Sequence, residues 1–457
     1  MTEALKNTIK IDSMQTKKLY IATFGCQMNV NDSERIVTML REMGYETTSH
    51  LREGDLILFN TCTVRGGASD KVHQHLANLK SIKKKRPGTL IGIAGCVAQQ
   101  EGDQLLADYP WLDIVIGTHN LHLLPAMVRD AEAGSRRSET DFLENSQRLD
   151  LFPPIAGQYR YSAFVTVMQG CDNYCSYCIV PYVRGREISR RFVEIMQEVH
   201  DLANKGVKEV VLLGQNVNSY GLNGDGEPPF SELVRAVAEI DGIKRIRFMT
   251  SHPKDMSDDL IACFMDVPKL CGALHLPAQS GSNRMLAAMN RSYTREHYLE
   301  TIRKLRLARP GIQITGDMIV GFPGETEAEF AETLSLMEEV RYFDLFSFIY
   351  SSRPGTKAAD LADDLPKEVK LERLDRLQKL QAIHSRLHNE AYIGTTQQIL
   401  VEGAARREGQ VTGRCDSGRI VNLAGSPELI GSFVDVRIVE GYANSLLGSW
   451  CDAMHEG

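Results

Sequence analysis

The sequence predicts an α/β protein in three parts: an N-terminal doubly wound parallel sheet over residues 17–134, a central βα barrel, partial or full, over residues 157–388, and a small C-terminal β-barrel over residues 391–455. Three observations carry this reading. In the first part, short runs of aliphatic and β-branched residues alternate with helical stretches, and strands alternating with helices imply a parallel sheet. The same alternation recurs on a larger scale in the second part, in roughly six βα units. In the third part the helices drop out, and short strands are separated by Gly and Pro.

The elements follow in order. Strands are expected at 19–24, 56–60 and 90–94, with helices at 31–43, at 68–84 and directly after the third strand. The polar stretch 132–148 reads either as a linker or as a surface helix with frayed ends. The barrel strands are expected at 162–168, 209–213, 245–250, 272–276, 312–320 and 345–350, and a charged helix at 367–387 closes the region. Strands at 397–401, 419–422, 433–439 and 446–450 would build the small barrel.

Composition narrows the function classes. Hydrophobic residues make up 43% and charged residues 24%, which is ordinary for a globular chain. No apolar run approaches the roughly 18–20 residues needed to cross a bilayer, and the polar N-terminus has no signal core. The expectation is a cytoplasmic protein with no membrane partner, where thiols stay reduced. Its 10 cysteines then point to metal ligation or catalysis rather than disulfides. A net charge of −7 excludes a global basic footprint, so any nucleic acid must be held by local patches.

Cys171, Cys175 and Cys178 form a C-x₃-C-x₂-C motif just past the first expected barrel strand. A 4Fe–4S cluster normally takes four thiolates, one per iron, so this motif would leave one iron open. The spacing resembles that of the radical-SAM superfamily, whose open iron binds S-adenosylmethionine. The alternative is a zinc site with a distant fourth ligand. Tyr177 matches the aromatic that precedes the third cysteine in that superfamily. Other strand ends supply candidate cofactor contacts: Gly214, Gln215 and Asn216 at one, Gln279 and Ser280 at another, and Gly321, Pro323, Gly324 and Glu325 at a third. Arg291 resembles the basic residue that meets the cofactor carboxylate; the alternative is a solvated helix-end arginine.

Cys26, Cys62 and Cys96 share no local spacing, but each lies just past an expected strand of the first part. In a parallel sheet those loops open on one edge, where ligands bind. They are candidate ligands of a second, auxiliary 4Fe–4S cluster, against the alternative of three buried structural cysteines. Gly25 and Gly95 would let the backbone bend around it. Cys263, Cys271, Cys415 and Cys451 lack such context and read as structural.

Taken together, the segments 25–34, 60–65, 94–96 and 182–187, with the last region, resemble the methylthiotransferases over nearly the whole chain, and the last region resembles a TRAM domain. Gln27-Met28-Asn29 is most similar to the MiaB type, which acts on N6-isopentenyl-adenosine beside the tRNA anticodon. The resemblance implies two 4Fe–4S clusters and two uses of S-adenosylmethionine. One molecule would methylate a sulfur at the auxiliary cluster; the other would be cleaved at the second cluster to a radical that takes the adenine hydrogen. No side-chain acid or base is needed. The partners implied are the anticodon stem-loop of tRNA and an external electron donor, with the enzyme a monomer. Because residues 395–457 carry five arginines against eight carboxylates, the candidate RNA contacts are Lys83, Lys84, Lys85 and Arg86 and the run Arg184, Arg186, Arg190 and Arg191, the latter favoured because it directly follows the loop of Cys171, Cys175 and Cys178. Methylthiolation of threonylcarbamoyl-adenosine or of a ribosomal protein stays open, as does a non-catalytic, metal-stabilised RNA-binding protein.

Overall fold

The computed structural model describes residues 16–63, 68–143, 161–224 and 226–451. The chain divides into two compact units, 1–156 and 157–457.

In the first unit the elements run β1 (Lys17–Thr23), α1 (Gln27–Glu42), β2 (Tyr45–Thr47), β3 (Leu56–Thr61), α2 (Ala68–Lys85), β4 (Leu90–Gly95), α3 (Cys96–Glu101), α4 (Asp103–Asp108), β5 (Ile114–Ile116), α5 (Leu124–Glu132) and β6 (Arg137–Glu139). The strands form one sheet in the order β2-β1-β3-β4-β5-β6, and every ladder is parallel. All residues of β3 and β4 are buried, as expected for central strands covered on both faces. Alternation along β3 divides the core. Leu56 and Leu58 pack with Ile36 and Leu40 of α1 and Val128 of α5. Ile57 and Phe59 pack with Leu76 and Leu79 of α2, Val97 of α3 and Leu105 of α4. That is a doubly wound sheet, and its strand order reverses between β1 and β3.

Part of the polar stretch read as a linker or helix is strand β6, which pairs in parallel with β5; positions 144–148 lie outside the described residues. Strands of three residues such as β2, β5 and β6 are too short to carry a period-2 signal. Helix α1 begins at Gln27, four residues before the expected start at Asn31, because side-chain bonds to β3 fix its first turn.

The second unit opens with β7 (Ser162–Thr166), β8 (Met168–Gln169), α6 (Val180–Arg184), β9 (Ile188–Ser189), α7 (Phe192–Asn204), β10 (Glu209–Leu213), α8 (Phe230–Ala238), β11 (Arg245–Phe248) and α9 (Asp258–Asp266). It continues with β12 (Ala273–His275), α10 (Asn283–Ala288), α11 (Arg295–Ala308), β13 (Gln313–Val320), α12 (Glu327–Val340), β14 (Asp344–Ile349) and α13 (Lys367–Ala391). Two parallel sheets, β11-β10-β7 and β12-β13-β14, are joined by a parallel bridge between Ile246 and Leu270. The result is a partial barrel of six parallel strands with β7 and β14 at its edges. The run expected as one strand over 162–168 splits. The chain leaves the β10 ladder after Thr166, and β8 pairs with β9 as an antiparallel clip.

Strands β15 (Thr396–Ala404), β16 (Gln410–Arg414), β17 (Ile420–Ala424), β18 (Phe433–Gly441) and β19 (Ser445–Trp450) close a barrel in the order β15-β16-β17-β19-β18. Its core holds Ile399, Val401, Val411, Val421, Leu423, Val436, Ile438 and Leu446. Among the described residues no helix is long and apolar enough to cross a membrane.

Candidate functional site

The six expected cysteine ligands fall into two sets, one in each unit. In the first unit, Thr23 pairs with Asn60 and Thr61 pairs with Gly95, so Cys62 and Cys96 leave the sheet side by side. Gly25 has φ +117, and a Cβ there would stand 2.4 Å from Cys62 Cβ and 3.0 Å from its Sγ. Gly95 has φ +89, and a Cβ there would strike Asn60 Oδ1 and Thr61 O at 2.5 Å. The two glycines let the β1 and β4 loops pack against the end of β3 at the carboxyl edge beside the β1/β3 reversal, where open α/β sheets take their ligands. Cys26 is exposed, and Cys62 and Cys96 are buried.

A buried amide network holds this edge. Asn29 Nδ2 donates to Asn60 Oδ1 at 3.2 Å and to Thr61 O at 2.8 Å. Asn60 Nδ2 donates to Asn29 O at 2.8 Å and Ser33 Oγ at 2.9 Å, and Cys26 Sγ lies 3.3 Å from Asn29 Oδ1. Cys26 also forms the N-cap of α1, where the helix dipole favours a thiolate. Asn60 had no individual role in the sequence reading. Its signal was present: a wholly buried amide at the end of an apolar strand demands a partner.

In the second unit the clip between β8 and β9 closes the loop that carries Cys171, Cys175 and Cys178. Gly170, at φ +83, lets the loop pass against Arg186 O, where a Cβ would stand at 1.9 Å. The end of α10 holds the loop from the other side: Ser176 N donates to Met289 O at 3.0 Å, and Asn290 Nδ2 donates to Asn173 O and Tyr174 O. Burial pushes the Cys171 thiol up to about 11 and the Cys178 thiol up to about 12, the latter with help from Cys175. Both favour the protonated form until a metal displaces the proton. Among the described residues, no three His, Cys, Asp or Glu side chains are drawn together tightly enough for a single metal ion.

Arg291 is no solvated helix-end residue. It is buried, its Nη1 lies 3.5 Å from Cys175 Sγ, Nη2 donates to Pro277 O at 2.9 Å and Nε donates to Tyr293 OH at 2.9 Å. Tyr177 packs with Met285, Met289, Phe322 and Tyr350. Gly214 sits where a Cβ would strike Met168 Sδ at 2.5 Å. Gln215 Oε1 accepts from Gly170 N at 2.6 Å, and Asn216 Nδ2 donates to Asp255 Oδ2 at 2.7 Å. Gln279 has φ +70 and pairs through its backbone with β13.

At the ends of β8, β10 and β11, Gln169 Nε2, Gln215 Nε2, Asn216 Oδ1, Ser251 Oγ and His252 Nε2 are buried without a protein partner. Orphaned polar atoms in one place are what a polar ligand would satisfy. The set holds both donors and acceptors and therefore fits a hydrogen-bonding cofactor.

Four expected contacts need correction. Glu325 Oε2 accepts from Gly321 N and from Arg373 Nη1, both at 2.8 Å, so it pins the turn 321–325 onto α13, while its Oε1 is buried without a protein partner. Ser280 is turned toward Thr333 of α12 at 3.4 Å. Arg184 is buried, and Arg190 is committed to Glu198 and Glu194; neither offers its guanidinium to a phosphate, because the clip that closes the cluster loop folds them inward. Arg186 and Arg191 remain well exposed beside Asp172 and Glu194. Pro323 is buried and Gly324 exposed in the same turn.

Comparison with known proteins adds sequence relationships. Residues 18–117 match the family described as uncharacterized protein family UPF0004, residues 165–337 the radical SAM superfamily and residues 390–450 the TRAM domain. A solved radical S-adenosylmethionine methyltransferase, TsrM from Kitasatospora setae, shares the fold at TM-score 0.59 and 13% identity, covering 76% of this chain and 77% of that one. The tRNA-2-methylthio-N(6)-dimethylallyladenosine synthase of Trichlorobacter lovleyi is 76% identical over 95% of this chain and 99% of its own length. Those of Pelobacter propionicus and Geobacter sulfurreducens are 62% and 59% identical over 95% of this chain and 99% and 97% of their own lengths. With that identity along almost its full length, the chain belongs to the family of tRNA-2-methylthio-N(6)-dimethylallyladenosine synthases.

Proposed function

We infer that this chain replaces the hydrogen on C2 of N6-dimethylallyladenosine in tRNA with a methylthio group, so that a C–H bond gives way to C–S–CH₃. The observation that carries the reading is the pair of three-cysteine sets, one at the edge of a parallel sheet and one in the loop closed by the β8–β9 clip, in a chain 76% identical to a synthase of this activity. The protein uses two 4Fe–4S clusters and S-adenosylmethionine. When bound, these supply the one-electron chemistry, the sulfur and the methyl group that an unactivated aromatic C–H bond requires.

The residues have separate roles. Cys26, Cys62 and Cys96 would hold the auxiliary cluster; Cys171, Cys175 and Cys178 would hold the other, with one iron left to S-adenosylmethionine. Arg291 places fixed positive charge beside Cys175 and steadies a thiolate there. Tyr177 and the apolar group around it keep water from that side of the cluster loop. Gln215, Asn216 and the Gly321–Gly324 turn would line the bound S-adenosylmethionine. Arg186 and Arg191 are the arginines of the run left to meet RNA phosphates. The substrate region is the anticodon stem-loop; the enzyme acts as a cytoplasmic monomer fed by an external electron donor.

The test is iron content and product together. After anaerobic reconstitution the wild type should hold about eight irons, and the triple Cys171/Cys175/Cys178→Ala variant about four. Nucleoside mass spectrometry of a prenylated RNA stem-loop should find the methylthio product with wild type and none with Cys26→Ala or Cys171→Ala. Full activity of Cys171→Ala would sink the assignment.

A further inference from the structure

The inside of a parallel barrel is ordinarily filled with packed side chains. Here one stretch of it is not. On β14, Leu345 and Ile349 pack into the core with Leu374 and Leu377 of α13, and Ser347 Oγ accepts from Gln378 of α13 at 3.3 Å. Those residues mark the outer face. Alternate residues Phe346 and Phe348 therefore point inward, yet they are 52% and 42% exposed. Their register partners on β13 are Asp317 and Ile319.

The inner face leads straight to the cluster loop. The next inward residue after Phe348 is Tyr350, which is buried and shares an apolar group with Tyr177, Met285, Met289 and Ile319. With a rise of about 3.3 Å per residue, Phe348 lies about 7 Å and Phe346 about 13 Å along the strand from Tyr350. Below them His275 packs edge-on to Phe346 with ring centroids 6.4 Å apart. Its Nε2 is 3.5 Å from Asp317 Oδ2, and its Nδ1 is 3.0 Å from Thr315 Oγ1.

Two half-exposed aromatic rings and a carboxylate, about 7 to 13 Å along the inner face from Tyr350 and the loop it packs against, select an occupant. Asp317 repels a phosphate, and Asp344 is paired with Arg419 at 3.9 Å, so the surface suits a neutral group better than the RNA backbone. A neutral base does: aromatic faces stack bases, and an apolar wall takes a branched alkenyl chain. N6-dimethylallyladenine keeps a single N–H donor on its base, at N6, and Asp317 is the acceptor within this surface.

We propose that Phe346, Phe348 and Asp317 form the seat of the prenylated adenine, with the two rings recognising the base and its dimethylallyl tail and Asp317 accepting the N6–H. The proposal rests on the function inferred above and adds the residues that read the prenyl group.

Reconstituted full-length protein tests it with two synthetic RNA stem-loops, one carrying N6-dimethylallyladenosine and one adenosine. Wild type should bind the prenylated RNA more tightly. Phe348→Ala and Phe346→Ala should each weaken that binding about tenfold or more, raising KM more than they lower kcat, and should narrow the preference between the two RNAs. Phe348→Leu, which keeps an apolar wall, should recover most of the preference. Asp317→Asn should weaken both RNAs alike. Iron content and melting temperature serve as folding checks. Unchanged affinity and preference in both alanine variants, with iron intact, would overturn the seat, as would a wild type indifferent to prenylation. A wild type that discriminates between the RNAs but forms no methylthio product would defeat the reaction and leave the seat standing.

Discussion

Glu329 illustrates how single residues set up the site. It lies one turn past the 321–325 turn and completes a capping box with Thr326 at the start of α12. The hydrogen bond from Arg284, with those from the Thr326 N–H and hydroxyl, lowers its carboxyl from 4.5 to about 2 against the opposing effect of burial. A depressed carboxylate stabilises the fold above its unfolded pKa, and that contribution is lost as pH falls through its folded pKa. Glu329→Gln should therefore cost about 1–2 kcal/mol at pH 7. The gap to wild type should shrink between pH 4.5 and 2; a gap that stays constant across that window in denaturant titrations would contradict the pairing.

Among elements, the β1–α1 turn carries the most consequence. Gly25 occupies a backbone region that side chains rarely adopt, and its missing Cβ makes room for Cys62. Gly25→Ala must push Cys62 aside or open the turn. The expected result is a loss of about four of about eight irons, with the radical-SAM set intact. Retention of all of them would mean that the loop yields without moving the thiol. Helix α13 acts likewise on the second unit. Lys370 fills the space beside Gly321, where a Cβ would stand 2.5 Å from Lys370 Cγ, and Arg373 anchors Glu325. The charged helix expected to close the region is thereby the outer wall of the turn 321–325.

At the scale of the second unit, the small barrel docks on the amino ends of the parallel strands, away from the cluster loop. Lys208 before β10 donates to Gly431 O, and Arg245 and Arg247 of β11 reach the carbonyls of Arg414, Gln398, Cys415 and Asp416. Gly272 N and Arg309 meet Asp416, and Arg419 donates to Phe343 O before β14. Arg247 also pairs with the buried Glu209 at 3.0 Å. Removing one member strands a buried charge, so Arg247→Met should cost about 3–5 kcal/mol and lower the melting point by several degrees in one cooperative transition. A separate early transition for the barrel would show that it is not bound to the core by these bonds.

The sequence by itself determined the class of each part, since periodicity and Gly/Pro punctuation are local properties. It also determined both cysteine sets as candidates: Cys171, Cys175 and Cys178 by spacing, Cys26, Cys62 and Cys96 by following three strands of one predicted sheet. Only the tertiary structure decided the partners of polar side chains. Glu325 and Arg190 looked like ligand contacts because they stand in the right motifs. Each makes an internal ion pair, Glu325 through Oε2 alone, to Arg373 and to Glu198, which lie 48 and 8 residues away in sequence. Arg291 read equally well as a solvated residue until its contacts with Cys175 and Tyr293 were placed. The inward turn of Phe346 and Phe348 was equally hidden, because a strand pattern alternates its faces but does not say which face is covered by α13 and which is left open.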